Sequence, residues 1–121
     1  MNVIARLLGP AVLLVCAAPV LAAQAPDGAA LYREHCKECH GAAGRPPKTA
    51  RDKYKDIKAL DAELLAPRSD DSLLVVLQKG VKDGKEMKSF KEKMTPEEMA
   101  AVVKYVRTRF GAAGASADQS P

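Results

Sequence analysis

The sequence predicts an all-α domain, and three observations predict it. Apolar residues recur at helical spacing in the segments 70–79 and 96–110. Residues that cap helices stand immediately before both segments. No stretch alternates polar and apolar residues as a half-buried strand does. The chain has 121 residues, enough for one domain.

Residues 1–22 read as a targeting segment. Arg6 gives a positive start, Leu7 to Val20 is apolar, and Val20-Leu21-Ala22 offers a small-residue cleavage site. The apolar run is short for a membrane span and carries Pro10 and Pro19. A cleavable export signal to the periplasm is the first expectation, and an uncleaved membrane anchor is the alternative. Loss of residues 1–22 removes Arg6 and Cys16. The formal charge then falls from +4 to +3 and the cysteines from three to two. The remainder, 23–110, is the expected domain, and the small, polar stretch 111–121 is an expected disordered tail.

Within the domain, Asp27 caps a helix over Gly28–His35. Residues 36–44 form a motif and a turn, and 45–58, basic and carrying Pro46-Pro47, reads mostly as loop. Leu60 to Ala66 suits a short helix stopped by Pro67. Ser69 caps the next helix, whose apolar face is Leu73, Leu74, Val76 and Leu77, and Gly80 ends it. Residues 81–93, rich in lysine, read as an extended loop. Thr95, Pro96 and Glu98 then spell a capping box with proline at the first helical position. Met99, Val102, Val103, Val106 and Phe110 make one apolar stripe, while Arg107 and Arg109 suit the negative end. Three or four short helices around a loop-rich middle result. The chain has no Trp, two Phe and three Tyr. A core so poor in large side chains leaves room for another apolar body.

Cys36-Lys37-Glu38-Cys39-His40 is a C-x-x-C-H motif, the signature of covalent haem attachment. Each thiol adds across one vinyl group of the porphyrin to form a thioether. His40 follows directly and offers its imidazole to the iron. Three other readings compete. A thioredoxin-like pair wants a strand before it. A zinc site wants four ligands, and the mature chain has two cysteines and two histidines. A disulfide would close a very short loop, with little stabilisation, and leaves His40 unexplained. Haem attachment accounts for all five residues.

From about Gly28 to Arg109 the chain resembles the class I single-haem c-type cytochromes of bacteria, which are mitochondrial-like. The resemblance rests on Leu31-Tyr32, Cys36 to Gly41, Gly44, Met87-Lys88-Ser89-Phe90, Thr95 to Glu98, and Val102 to Arg107. It implies terminal helices that cross beside the haem, with Gly28, Leu31, Tyr32, Val102 and Tyr105 near the crossing. It also implies a methionine as the second axial ligand, supplied by a late loop. Met99 lies on the apolar stripe, and Met94 precedes the cap Thr95, so the two pair as a hydrophobic staple. Met87 has no such packing role. It stands where the family usually has Met-Pro-x-Phe, with Lys88 replacing the proline. Met87 is therefore favoured over Met94, and Phe90 with the Leu73–Leu77 helix is expected to hold its loop down. A carbonyl of Pro46 or Pro47 is expected to orient His40 through its second ring nitrogen. His35 reads as an exposed helix residue.

The expected function is transfer of single electrons by one covalent haem c with His40 and Met87 as axial ligands. Such a protein is a carrier rather than an enzyme. The alternatives are a haem enzyme or ligand sensor with an open distal side, and a subunit docked permanently to an oxidase or dehydrogenase. Lys79, Lys82, Lys85, Lys88, Lys91 and Lys93 surround Met87. They suit either a merely solubilising surface or redox partners with acidic docking surfaces, loose association with membrane complexes, and a monomeric carrier. Glu86, Glu92, Glu97 and Glu98 interrupt the basic run, which argues against nucleic acid. No small-molecule substrate is expected.

Overall fold

Six helices are observed in the computed structural model, which describes residues 23–111. They are α1 (Gly28–His35), α2 (Lys37–His40), α3 (Lys48–Lys53), α4 (Ala62–Leu65), α5 (Asp70–Lys79) and α6 (Pro96–Phe110). No strand occurs among the described residues, where the one β-bridge joins Val81 to Met87. The all-α expectation is met. The targeting segment and the tail beyond Gly111 lie outside the described residues.

The caps explain where the helices begin. Asp27 accepts from the backbone of Ala29 and Ala30. Ser69 accepts from Ser72, and Thr95 and Glu98 close the reciprocal capping box. Asp61, a cap not recognised in the sequence, accepts from Leu64 and starts α4 at Ala62. Two elements depart from the sequence reading. The attachment motif is itself a helical turn, α2. The stretch after Pro47 is helical as α3, because proline is well placed just before a first turn that needs no N–H donor.

The frame is the crossing of α1 over α6, with α5 packed against α6. Close approach is possible because Gly28 has no side chain. A Cβ there would lie 2.1 Å from the carbonyl oxygen of Ala101. Tyr32 fills the crossing, with its ring 5.4 Å from Tyr105 and 5.3 Å from Phe110, and is almost wholly buried. The rest of the core is Cys36, Leu65, Leu77, Met94, Met99, Val102, Val103, Val106 and Phe110. All five residues of the predicted α6 stripe are in it.

Arg107 does more than face a helix end. Its Nε donates to Asp70 at 2.5 Å, and its two Nη groups donate to the carbonyls of Leu65 and Arg68. One side chain of α6 thus satisfies the end of α4 and fixes the start of α5. These fork-like donors are what a guanidinium supplies and an ammonium does not.

Candidate functional site

The site begins at a helix junction. Cys36 is the C-cap of α1 and the N-cap of α2. Its N–H donates to Tyr32, and its carbonyl accepts from His40 at 2.9 Å. One helical turn therefore carries Cys36, Cys39 and His40 at positions i, i+3 and i+4, the spacing that shares a helix face. Tyr32 stiffens the turn from outside, its hydroxyl donating to the Gly41 carbonyl at 2.7 Å. Cys36 is buried, Cys39 is exposed, and both thiols are free.

Burial sets the chemistry of these groups. It pushes the Cys36 thiol up to about 11, helped by Cys39 beside it. Burial also holds the His40 imidazole below its ordinary value, so the ring is neutral near pH 7. Neutral imidazole is the form that binds metal. Burial raises the Tyr32 phenol as well, followed by the neighbouring Cys36 and Tyr105.

His40 Nδ1 is buried with no hydrogen-bond partner, the one such side-chain atom among the described residues. Neither expected proline carbonyl bonds to it: the Pro47 oxygen accepts from the Arg51 N–H at 3.1 Å. The Pro46 oxygen accepts from Arg51 Nη1 at 2.6 Å, because α3 starts directly after Pro47 and brings Arg51 back over it. A buried, unpartnered polar atom is rare and calls for an explanation. Two free thiols and a neutral imidazole on one turn are the donor set that a haem joined by two thioethers requires. The residues fit that group. They do not fit zinc: no cluster of three or more His, Cys, Asp or Glu among the described residues is arranged to hold a metal ion. The absence of a strand before the motif removes the thioredoxin-like context.

Met87 lies on a separate segment that is firmly moored. Its carbonyl accepts from Val81 at 2.9 Å, and Val81 accepts from Glu86. Gly80 turns the chain with φ 76°, and a Cβ there would stand 2.3 Å from the Met87 carbonyl oxygen. Downstream, Phe90 donates its N–H to Leu77 at 2.8 Å, and Ser89 Oγ donates to the Gln78 carbonyl. Phe90 and α5 thus hold the segment as expected. The extended loop of the sequence reading is in fact a small hairpin followed by a strap.

Met87 is half-buried and packs against the core, so it has packing contacts that the sequence reading did not expect, because the hairpin folds back onto α5. Met94 is 4% exposed and Met99 2%, and with Pro96 they share the wall of a groove of roughly 460 Å³. Met94 and Met99 occupy the two positions of a hydrophobic staple around the Thr95 cap. None of Cys36, Cys39, His40 or Met87 lines that groove. His35 differs from its reading as an exposed residue. Its ring meets Phe90 edge-on at 6.0 Å, joining the attachment segment to the methionine segment.

The six lysines around Met87 are all exposed. Lys82 is paired with Asp56 and Glu86, whose carboxylates hold its ammonium pKa above the ordinary value. The other five form no ion pair among the described residues.

Comparison with known proteins places these features in context. The family described as cytochrome c oxidase, cbb3-type, subunit III matches residues 23–106. A solved structure, the c-type cytochrome KustC0563, is 38% identical with a TM-score of 0.62. That alignment covers 69% of this chain and 98% of the other. A tyrosine-to-phenylalanine mutant of that cytochrome is likewise 38% identical, with a TM-score of 0.59 over 67% of this chain and 95% of the other. No curated protein matches the chain.

Proposed function

The chain belongs to the cytochrome c family described as cytochrome c oxidase, cbb3-type, subunit III, and is a class I c-type cytochrome; from that premise we propose that it carries single electrons on one haem c outside the cytoplasm. Proteins of this kind bind haem covalently, act as electron carriers and are typically exported. No helix among the described residues is long and apolar enough to cross a membrane. The observation that carries the reading is the single turn that places Cys36, Cys39 and a half-buried His40 together, with His40 Nδ1 buried and unpartnered.

Haem c, when bound, supplies a reversible one-electron iron couple. Cys36 and Cys39 hold it through thioethers. His40 would supply an imidazole ligand to the iron, and its partial burial favours the unprotonated ring that binds metal. Met87 would supply a thioether ligand from a hairpin whose backbone is fixed at Val81, Gly80 and α5. With both side chains bound, the iron would serve electron transfer rather than the binding of oxygen or peroxide. A thioether ligand also raises the reduction potential of the iron. Lys79, Lys85, Lys88, Lys91 and Lys93 form the rim that meets acidic redox partners, whereas Lys82 is already neutralised.

The test is spectroscopic. The matured protein, produced in a host competent for haem attachment, should retain one haem per chain after denaturation. Oxidised, it should show the weak far-red absorption of sulfur-to-iron ligation, lost in Met87→Ala and kept in Met94→Ala. Ready carbon monoxide binding to the untreated reduced protein would favour an open-site enzyme or sensor. The family's description favours a second reading, a subunit docked to an oxidase. Elution of native material with a large complex would support it, and elution alone would support the mobile carrier.

A further inference from the structure

The hairpin carrying Met87 turns through two residues that seldom make such a turn. Lys82 and Asp83 have φ 49° and 54°, and Gly84 follows at 79°. Gly84 closes the turn by donating to the Val81 carbonyl at 3.2 Å. Left-handed backbone is unfavourable for a residue with a long side chain, and glycine or asparagine would adopt it at less cost. The backbone therefore gives no reason for a lysine at position 82. Its side chain does.

Lys82 Nζ lies 2.5 Å from Glu86 Oε1 and 3.2 Å from Asp56 Oδ2. Glu86 stands immediately before Met87. Asp56 belongs to the segment 54–61, between α3 and α4, and is 26 residues earlier in the chain. Among the described residues, this is the one side-chain hydrogen bond between that segment and the hairpin 81–87. The ammonium thus joins two loops that no helix contact joins.

We propose that Lys82 is a positioning residue for Met87: its ammonium, held by Asp56 and Glu86, clasps the hairpin to the 54–61 segment and keeps the Met87 thioether in place. The inference rests on the reading of Met87 as an axial ligand. Exposed ion pairs contribute little to global stability. Release of one ligand from the iron is a local opening, however, and local openings are governed by small free energies. A modest clasp is therefore visible in how often Met87 lets go, even where the unfolding midpoint does not move.

The experiment uses the matured, haem-loaded full chain in its oxidised form, at low ionic strength. Imidazole is added, and the rate at which the far-red absorption disappears is measured. Lys82→Gln should raise that rate roughly two- to tenfold, since it removes two exposed pairs, and Asp56→Asn about two- to fivefold. The double variant should be no faster than Lys82→Gln, because the two substitutions break the same bond. Lys58→Gln removes the same charge from the 54–61 segment without breaking a pair and should match the parent. High salt should bring the parent towards the Lys82→Gln rate. The denaturation midpoint of all variants should stay near the parent's. Rates equal to the parent's in both single variants, or additive effects in the double variant, would overturn the clasp while leaving Met87 as ligand. A parent without far-red absorption, or one whose absorption survives Met87→Ala, would overturn the ligand reading and the clasp with it.

Discussion

Gly28→Ala separates two forces that act on α1 in opposite directions. Gly28 is the first residue of that helix, and alanine is the better helix former by up to about 1 kcal/mol. Local propensity alone therefore makes the variant more stable. The crossing with α6 argues the reverse. The new Cβ would stand 2.1 Å from the Ala101 oxygen and 3.0 Å from the Tyr105 Cβ. An unstrained carbon–oxygen contact needs roughly 3.3 Å, so the helices must part by about an ångström. Such a gap forfeits a quarter to a half of the dispersion energy of the atoms it separates. Those atoms include Tyr32 and Val102, 1% and 2% exposed. Overpacking of this kind costs about 1–3 kcal/mol. Allowing for the gain in propensity, we expect a net loss of about 1 kcal/mol, or a fall in Tm of roughly 4–8 °C for a domain of this size. Thermal unfolding of the oxidised protein, followed by circular dichroism, measures it. Gly84→Ala is the companion: its φ is 79°, but the nearest heavy atom is 4.0 Å from the added Cβ. It should lose only the backbone cost of a left-handed alanine, about 1–2 kcal/mol. A Gly28→Ala protein as stable as its parent, or more stable, would refute the close-approach argument.

Other perturbations test the remaining contacts. Met94→Ala should cost about 2–5 kcal/mol in urea unfolding, because its side chain is almost wholly buried, yet the far-red absorption should persist. Arg107→Ala should cost about 1–2 kcal/mol, and Arg107→Lys should restore little of it, since three acceptors, in α4, in the turn after it and in α5, are served by one fork. Electron transfer to an acidic redox partner should slow as salt is raised, and Lys88→Gln should flatten that dependence; a parent rate indifferent to salt would remove the basic rim from the account. In folded protein that has not received haem, a Cys36 thiol pushed up to about 11 is only about 0.1% thiolate at pH 8. Iodoacetamide should therefore label exposed Cys39 far faster than Cys36, as read by mass spectrometry, and equal labelling would contradict the buried junction.

The parts legible in the sequence were those fixed by local chemistry. Asp27, Ser69 and Thr95 cap helices because a short side-chain oxygen reaches its own backbone two or three residues on, and that geometry needs no tertiary information. The α6 stripe and the C-x-x-C-H turn are legible for the same reason. The missed features depend on residues distant in sequence. Arg107 is a helix-end cation until α4, α5 and the turn between them bring three acceptors to it. His35 is an exposed residue until Phe90 arrives 55 positions later. Arg51 takes the Pro46 carbonyl because α3 forms, and α3 itself was hidden in a basic stretch without an apolar period.

The same distinction separates the two halves of the proposed haem site. The half around His40 is one continuous turn whose geometry comes from its own hydrogen bonds and from Tyr32 beneath it. It would be expected to survive most changes elsewhere. The half around Met87 is held by contacts to α5, to Val81 and to Asp56, drawn from three places in the chain. Its stability is the sum of small terms, each removable alone. On the proposed ligation, covalent bonds keep the cofactor whatever the loops do, while Met87 can be released from the iron without loss of the haem. The position of Met87, not retention of the haem, is therefore where substitutions remote from the attachment turn should act on function.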